Sequence, residues 1–403
     1  MGTFAAALTM LFTAPIASAQ PPQPKVLLPE TGKPLVLDAG SQKIRVVLVA
    51  GGLVGPWDIA FLPGGNSILV TESNGRLRIV DNGTLDPAPV WTAPSPEGND
   101  VLHGLVLHPN FAENHYVYAA YVKAGEGELV TLAVARGKLE GKKLTNVRDI
   151  FVADAWETGR NATAGRMLFG PDGKLYVTVG DRDRLCCGPM DDNSIRIRAQ
   201  SLSDDIGKVL RLNDDGSVPE DNPFVGRTGA RPEIFTYGNR NGYGLAFHPE
   251  TGELWELEIG PMGGDEINIL HAGANYGWPL VSMGRNYSGT LVSDQPWFRP
   301  GMENPRVFWV PAISPSGMTF YTGDRFPDWK GSLFIGSLSG QQVQRLTFDR
   351  PGQAEGREPL LRELGVRFRD VEQGPDGYLY LTTEVRYGSG QPDGAILRLE
   401  PAE

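Results

Sequence analysis

Residues 235–279, FTYGNRNGYGLAFHPETGELWELEIGPMGGDEINILHAGANYGWP, concentrate side chains that are poor choices for plain core packing. A guanidinium sits beside an amide at Arg240 and Asn241, a Gly-Pro loop precedes the acidic pair Asp265 and Glu266, and the segment ends in a run of glycine and aromatic residues. The stretch reads as the floor of a ligand site. A second unusual stretch is residues 181–198, DRDRLCCGPMDDNSIRIR. Its acids, Asp181, Asp183, Asp191 and Asp192, can serve a cation or a substrate, or pair internally with Arg182, Arg184, Arg196 and Arg198. It also carries the chain's 2 cysteines, Cys186 and Cys187. In an oxidising compartment they can close a vicinal disulfide. Adjacent Cα atoms lie about 3.8 Å apart, closer than a relaxed disulfide prefers, so such a ring would stiffen its loop. No second Cys pair or spaced His pair accompanies them, which argues against zinc.

The elements that must position these groups repeat. An apolar strand, a Pro/Gly/Asp turn and a second strand rich in β-branched and aromatic residues recur at 61–73, 107–122, 169–181, 247–260, 326–338 and 373–384. Proline fixes one φ of the turn, and glycine supplies the positive φ that closes it. Helical periodicity is almost absent. Six similar hairpins predict an all-β, six-bladed β-propeller; a pair of β-sandwiches would leave the repetition unexplained. Strands at 44–48 and 395–399 are expected to share one blade and close the ring. Long insertions at 181–206, 213–235 and 279–312 are expected on one face, where they would build the site.

Composition sets the remaining bounds. The 403 residues carry a formal charge of −11, which argues against nucleic acid and an anionic membrane surface as partners. It suits a cation such as Ca²⁺ as well as a plain acidic surface. The first 19 residues hold an uncharged apolar run ending in Ala17-Ser18-Ala19, the pattern of a secretory leader cleaved after Ala19. The run is too short, and too broken by Pro15, to span a membrane. The expectation is a leader over 1–19, an extended lead-in over 20–40 and a single propeller over 20–403, in the periplasm or secreted.

The chain resembles the soluble glucose/sorbosone dehydrogenase family, the PQQ-dependent aldose sugar dehydrogenases. The resemblance rests on GRMLFGPDGKLYVTVGD (165–181), IGKVLRL (206–212), YGNRNGYGLAFHP (237–249), GPMGGDEINIL (260–270), NYGWP (275–279), PSGMTFYTGDRFPDWKG (315–331) and RFRDVEQGPDG (367–377). It implies a propeller that binds PQQ and Ca²⁺ at the top of its central channel and oxidises an aldose to a lactone by hydride transfer to the quinone. It further implies that Arg240 and Asn241 contact the quinone, that the Gly260 and Pro261 carbonyls hold Ca²⁺, and that Arg367 and Arg369 face the cofactor carboxylates. The chemistry agrees: guanidinium forks bind carboxylates in bidentate fashion, and backbone carbonyls suit Ca²⁺. Three positions depart from the family pattern. Ala162 stands where the family has its general-base histidine, Asn99 where it has a glutamine, and Ser339 where it has a lysine. An alanine takes no proton, so another base is needed.

Of the 5 histidines, His108 and His248 precede prolines in hairpin turns, His271 sits in a turn and His115 in a hairpin; these read as structural. His103 lies at the entrance of a strand, four residues after Asn99. If that strand is regular, both face the channel, and a neutral imidazole there is the candidate base. The expected partners are a sugar or related alcohol and an external electron acceptor. The alternative readings are a propeller that has lost its redox chemistry and binds a small ligand or a protein, and a Ca²⁺-assisted hydrolase.

Overall fold

The structure is a computed structural model that describes residues 26–40, 42–183, 191, 193–348 and 356–402. The expected leader and the Cys186–Cys187 pair lie outside the described residues. Six antiparallel sheets of four or five strands follow one another along the chain. Their innermost strands are Pro56–Phe61, Leu102–Leu107, Ala164–Phe169, Gly242–Phe247, Pro315–Phe320 and Arg367–Gln373. Each packs against the next, and the last returns to the first. This is the expected six-bladed β-propeller, with blades numbered one to six in chain order. The six hairpins found in the sequence join each inner strand to its neighbour. In the PDG turn of blade three, Asp172 accepts the Lys174 N–H at 3.0 Å, and Gly173 holds φ at +72°. Only glycine takes that conformation cheaply.

Closure follows the expected route. Strand Gln42–Leu53 pairs with Gly394–Pro401, with Val46 opposite Leu399, so both ends of the chain complete blade six. Apolar residues form six clusters among the described residues, one at each blade-to-blade interface. The second strand Leu175–Val179 is buried along its whole length because both faces meet neighbouring blades, and its side chains are apolar apart from Thr178.

One irregularity recurs in every blade. All six inner strands break register near their start, between Pro56 and Ile59, Leu102 and Leu105, Ala164 and Met167, Gly242 and Gly244, Ser316 and Met318, and Phe368 and Asp370. A bulge bends the strand and re-aims the unpaired side chain. Here the bulges deliver Trp57, His103, Tyr243 and Arg369, from four different blades, to the channel axis. Threonines stitch the bulges together: Thr71 Oγ1 donates to the His103 carbonyl at 2.7 Å, and Thr178 Oγ1 to the Gly242 carbonyl at 2.8 Å.

The insertions divide between the two faces. Ala164 lies opposite Val179, and Val179 opposite Lys208, at the strand-start end. Leu175 lies opposite Leu212 at the other end, so residues 213–235 leave from the face away from the bulges. The expectation that this insertion helps to build the site is therefore corrected. The chain after strand Asp265–Leu270 instead climbs the edge of blade three, where Asn275 bridges Tyr237, and brings residues 279–312 to the bulged face.

Candidate active site

At the bulged end a cavity is lined by His103, Arg240, Asn241, Arg367 and Arg369. The structure thus brings together five residues singled out in the sequence, contributed by blades two and six and by the link into blade four.

His103 is 2% exposed and stacks on Trp57, with ring centroids 5.3 Å apart. Its Nδ1 lies 3.4 Å from Thr163 Oγ1. Burial lowers its pKa to about 4, so the imidazole is neutral at physiological pH and open to a proton. Ala162 lines the same cavity but offers no basic group. His108 and His248 are turn elements, as expected: their Nδ1 atoms accept the N–H groups of Asn110 and Glu250.

Arg240 donates through Nη1 to the Ile259 carbonyl at 2.6 Å. Its Nε has no hydrogen-bond partner among the described residues and lies 3.9 Å from Asp181 Oδ2. Its guanidinium stands over the Trp278 ring at 5.1 Å. The neighbouring Asn241 Oδ1 is also buried without a partner among the described residues. Arg367 and Arg369 share one acceptor, donating to Glu384 Oε1 at 2.8 and 3.1 Å. Burial pushes the Glu384 carboxyl up, but the two guanidiniums outweigh it and hold it below its ordinary value.

Three sequence-derived residues fall outside the cavity lining. Asn99 lies in irregular chain before strand Leu102–Leu107 and donates to the Gly388 carbonyl at 2.9 Å. The strand does not extend back to it, so the alternation that would pair it with His103 does not apply, and Asp100 enters the lining in its place. Gly260 and Pro261 are buried just behind the lining residue Ile259. Asp265 holds their loop, accepting the Gly260 N–H at 2.9 Å and those of Ile313 and Ser314 at 2.7 and 2.9 Å. Among the described residues, neither the Gly260 nor the Pro261 carbonyl accepts a hydrogen bond.

Sequence reasoning missed Asp100, Arg160, Tyr287 and Tyr387, all in the lining. Tyr387 donates its hydroxyl to Asp100 across the rim. Tyr287 was findable in part, because it belongs to an insertion expected at the site. Its N–H donates to Asp191 Oδ1 at 3.0 Å. Asp191 and Asp183 also clamp the buried Arg196, at 3.0 and 2.6 Å. For these members of the acidic loop, the internal ion-pair alternative is the one realised.

Beneath this floor lies a second charged layer. Arg166 bridges Asp58 Oδ1 at 2.9 Å and Asp370 Oδ1 at 3.0 Å, and its guanidinium sits 4.5 Å from the Trp57 ring centroid. Glu372 completes the group. Burial pushes the Asp58 carboxyl well above the ordinary carboxylate range, against the pull of Arg166.

Comparison with known proteins decides the family. The glucose/sorbosone dehydrogenase pattern matches residues 53–398. The chain belongs to the glucose/sorbosone dehydrogenase family. Within it, the chain is 36% identical over 369 residues to the aldose sugar dehydrogenase YliI of Escherichia coli, covering 90% of this chain and 94% of that protein. The solved apo-form of the soluble E. coli aldose sugar dehydrogenase superposes with a TM-score of 0.80 at 35% identity, covering 89% of this chain and 100% of that one. The PQQ-bound form of an aldose sugar dehydrogenase from Streptomyces coelicolor superposes with a TM-score of 0.67 at 26% identity, covering 90% and 99%. The family resemblance read from the motifs is thereby confirmed.

Proposed function

We propose that the protein is an exported, PQQ- and Ca²⁺-dependent dehydrogenase that oxidises a sugar or related alcohol, with His103 as proton acceptor. The observation that carries this reading is the convergence of Arg240, Arg367, Arg369 and a neutral, buried His103 on one cavity in a member of this family. The residues fit the group. PQQ is a tricarboxylate, and Arg240, Arg367 and Arg369 in the cavity lining offer it three guanidiniums. Arg240 Nε and Asn241 Oδ1 are buried polar atoms without partners, and such atoms are costly unless a ligand satisfies them. The free carbonyls of Gly260 and Pro261 are hard oxygen donors of the kind Ca²⁺ takes.

When bound, PQQ supplies a two-electron acceptor for a hydride, and Ca²⁺ supplies Lewis acidity. The chain's own residues do the rest. Arg240, Arg367 and Arg369 neutralise and orient the carboxylates, and Asn241 offers an amide beside them. Asn99 acts only at the rim, where its amide bonds the Gly388 carbonyl. As the sugar's C1–H leaves with its electron pair and C1 becomes a carbonyl, His103 takes the C1 hydroxyl proton. An anionic cofactor in the cavity favours the imidazolium and raises the basicity of His103 from its value in the empty site. Electrons then pass to an external acceptor. Among the described residues no helix is long and apolar enough to cross a membrane.

The test is reconstitution. Apo-protein supplied with PQQ and Ca²⁺ is expected to gain dye-linked dehydrogenase activity on an aldose. Full PQQ uptake with no turnover of any aldose or alcohol would contradict the reading.

A further inference from the structure

We infer that the substrate of this site carries an anionic group and that Arg160 recognises it. The inference rests on the dehydrogenase reading and deepens it, by naming a substrate class.

Four guanidiniums line the cavity, those of Arg160, Arg240, Arg367 and Arg369. Three have an anionic neighbour: Asp181 lies 3.9 Å from Arg240, and Glu384 lies 2.8 and 3.1 Å from Arg367 and Arg369. The side chain of Arg160 makes no hydrogen bond or ion pair with any described residue. The one carboxylate in the lining, Asp100, already accepts the Tyr387 hydroxyl. A tricarboxylate cofactor accounts for three guanidiniums and leaves the fourth over.

Arg160 is held in place rather than trailing in solvent. Its guanidinium lies against Gly98, where a Cβ would come within 1.9 Å of Nη1; the missing side chain provides the slot. The loop that presents it is pinned from behind. Arg182, 2% exposed, donates to the carbonyls of Gly159 and Asn161 at 2.8 Å each, and Thr163 Oγ1 donates to the Arg160 carbonyl at 3.3 Å. Arg160 thus stands two residues from Ala162, on the wall that also contains His103. A neutral sugar offers this guanidinium only hydroxyls, whereas a sugar carboxylate or phosphate offers a paired, charge-assisted contact.

The experiment uses PQQ- and Ca²⁺-loaded protein and three glycosides blocked at C1, which bind without turning over: methyl glucoside, methyl glucuronide and methyl glucoside 6-phosphate. Calorimetry on the wild type is expected to show at least one anionic glycoside binding about tenfold or more tightly than methyl glucoside, the effect of one charge-assisted pair. Arg160→Gln is expected to remove most of that difference and Arg160→Lys to retain part of it. The arms separate carboxylate from phosphate recognition. Equal binding of all three by the wild type, or an undiminished preference in Arg160→Gln, overturns the inference. PQQ uptake is read first, by absorbance. Protein that takes up no PQQ overturns the dehydrogenase reading and this inference together; uptake without charge preference overturns this inference alone.

Discussion

Arginines occupy two levels of the same channel in opposite circumstances. At the lower level Arg166 is clamped between Asp58 and Asp370, beneath the Trp57 ring. At the upper level Arg367 and Arg369 share a single carboxylate, and Arg240 keeps an unpartnered Nε. Arg166 below and Arg240 and Arg369 above are all buried, so burial does not separate structure from function here. The balance of charge does. Below, carboxylates outnumber the guanidinium; above, guanidiniums outnumber carboxylates around an open space. An excess of buried positive charge is costly unless a ligand completes it, and that is the physical ground for placing a polyanionic cofactor in the upper level.

The largest expected effect lies in the lower level. Arg166→Met strands two buried carboxylates and should cost about 3–5 kcal/mol of stability in denaturant unfolding. Arg369→Met should cost about 1–2 kcal/mol, because Glu384 keeps Arg367. The upper substitution should instead weaken PQQ binding by about 100-fold in a fluorescence or absorbance titration, the scale of a lost charge-assisted pair. If Arg166→Met is as mild as Arg369→Met, the two levels do not differ as described.

His103 sharpens the contrast, since it touches the floor between the levels. His103→Gln should lower kcat by about 10²–10³ while leaving PQQ affinity within about threefold. It also carries a pH signature. The folded pKa of about 4 lies below the ordinary histidine value of 6.5, so between those values the unfolded chain binds the extra proton. Stability from this group is full above pH 6.5 and is lost as the pH falls toward 4. Between those limits wild type should lose about 3 kcal/mol more than His103→Gln, a ceiling set by about 1.4 kcal/mol per pKa unit. The smallest effect is expected at Asn99, whose amide bonds a rim carbonyl. Asn99→Ala should change PQQ affinity by less than about fivefold.

The fold was largely legible because its signal is local. Each PDG-type hairpin carries its own turn chemistry, and six copies count the blades. The cavity-lining arginines were legible through motifs, since Arg240-Asn241 and Arg367-x-Arg369 are contiguous in sequence. What escaped was non-local. The six bulges depend on how each inner strand meets its neighbours, and no residue pattern announces a register break. Alternation therefore put Asn99 beside His103, when irregular chain places Asp100 in the lining. Arg160 and Tyr387 sit in loops without a motif, and only the closed ring brings them to the mouth. The 213–235 insertion was assigned to the wrong face because insertion length alone does not say from which end of a strand the chain departs.

The most direct test of the central claim is an absorbance titration of the purified apo-protein with PQQ in the presence of Ca²⁺. Saturable uptake of about one PQQ per chain at micromolar concentration, abolished or strongly weakened by Arg369→Met but not by His103→Gln, is the result predicted. No saturable uptake, or uptake indifferent to Arg369, would contradict it.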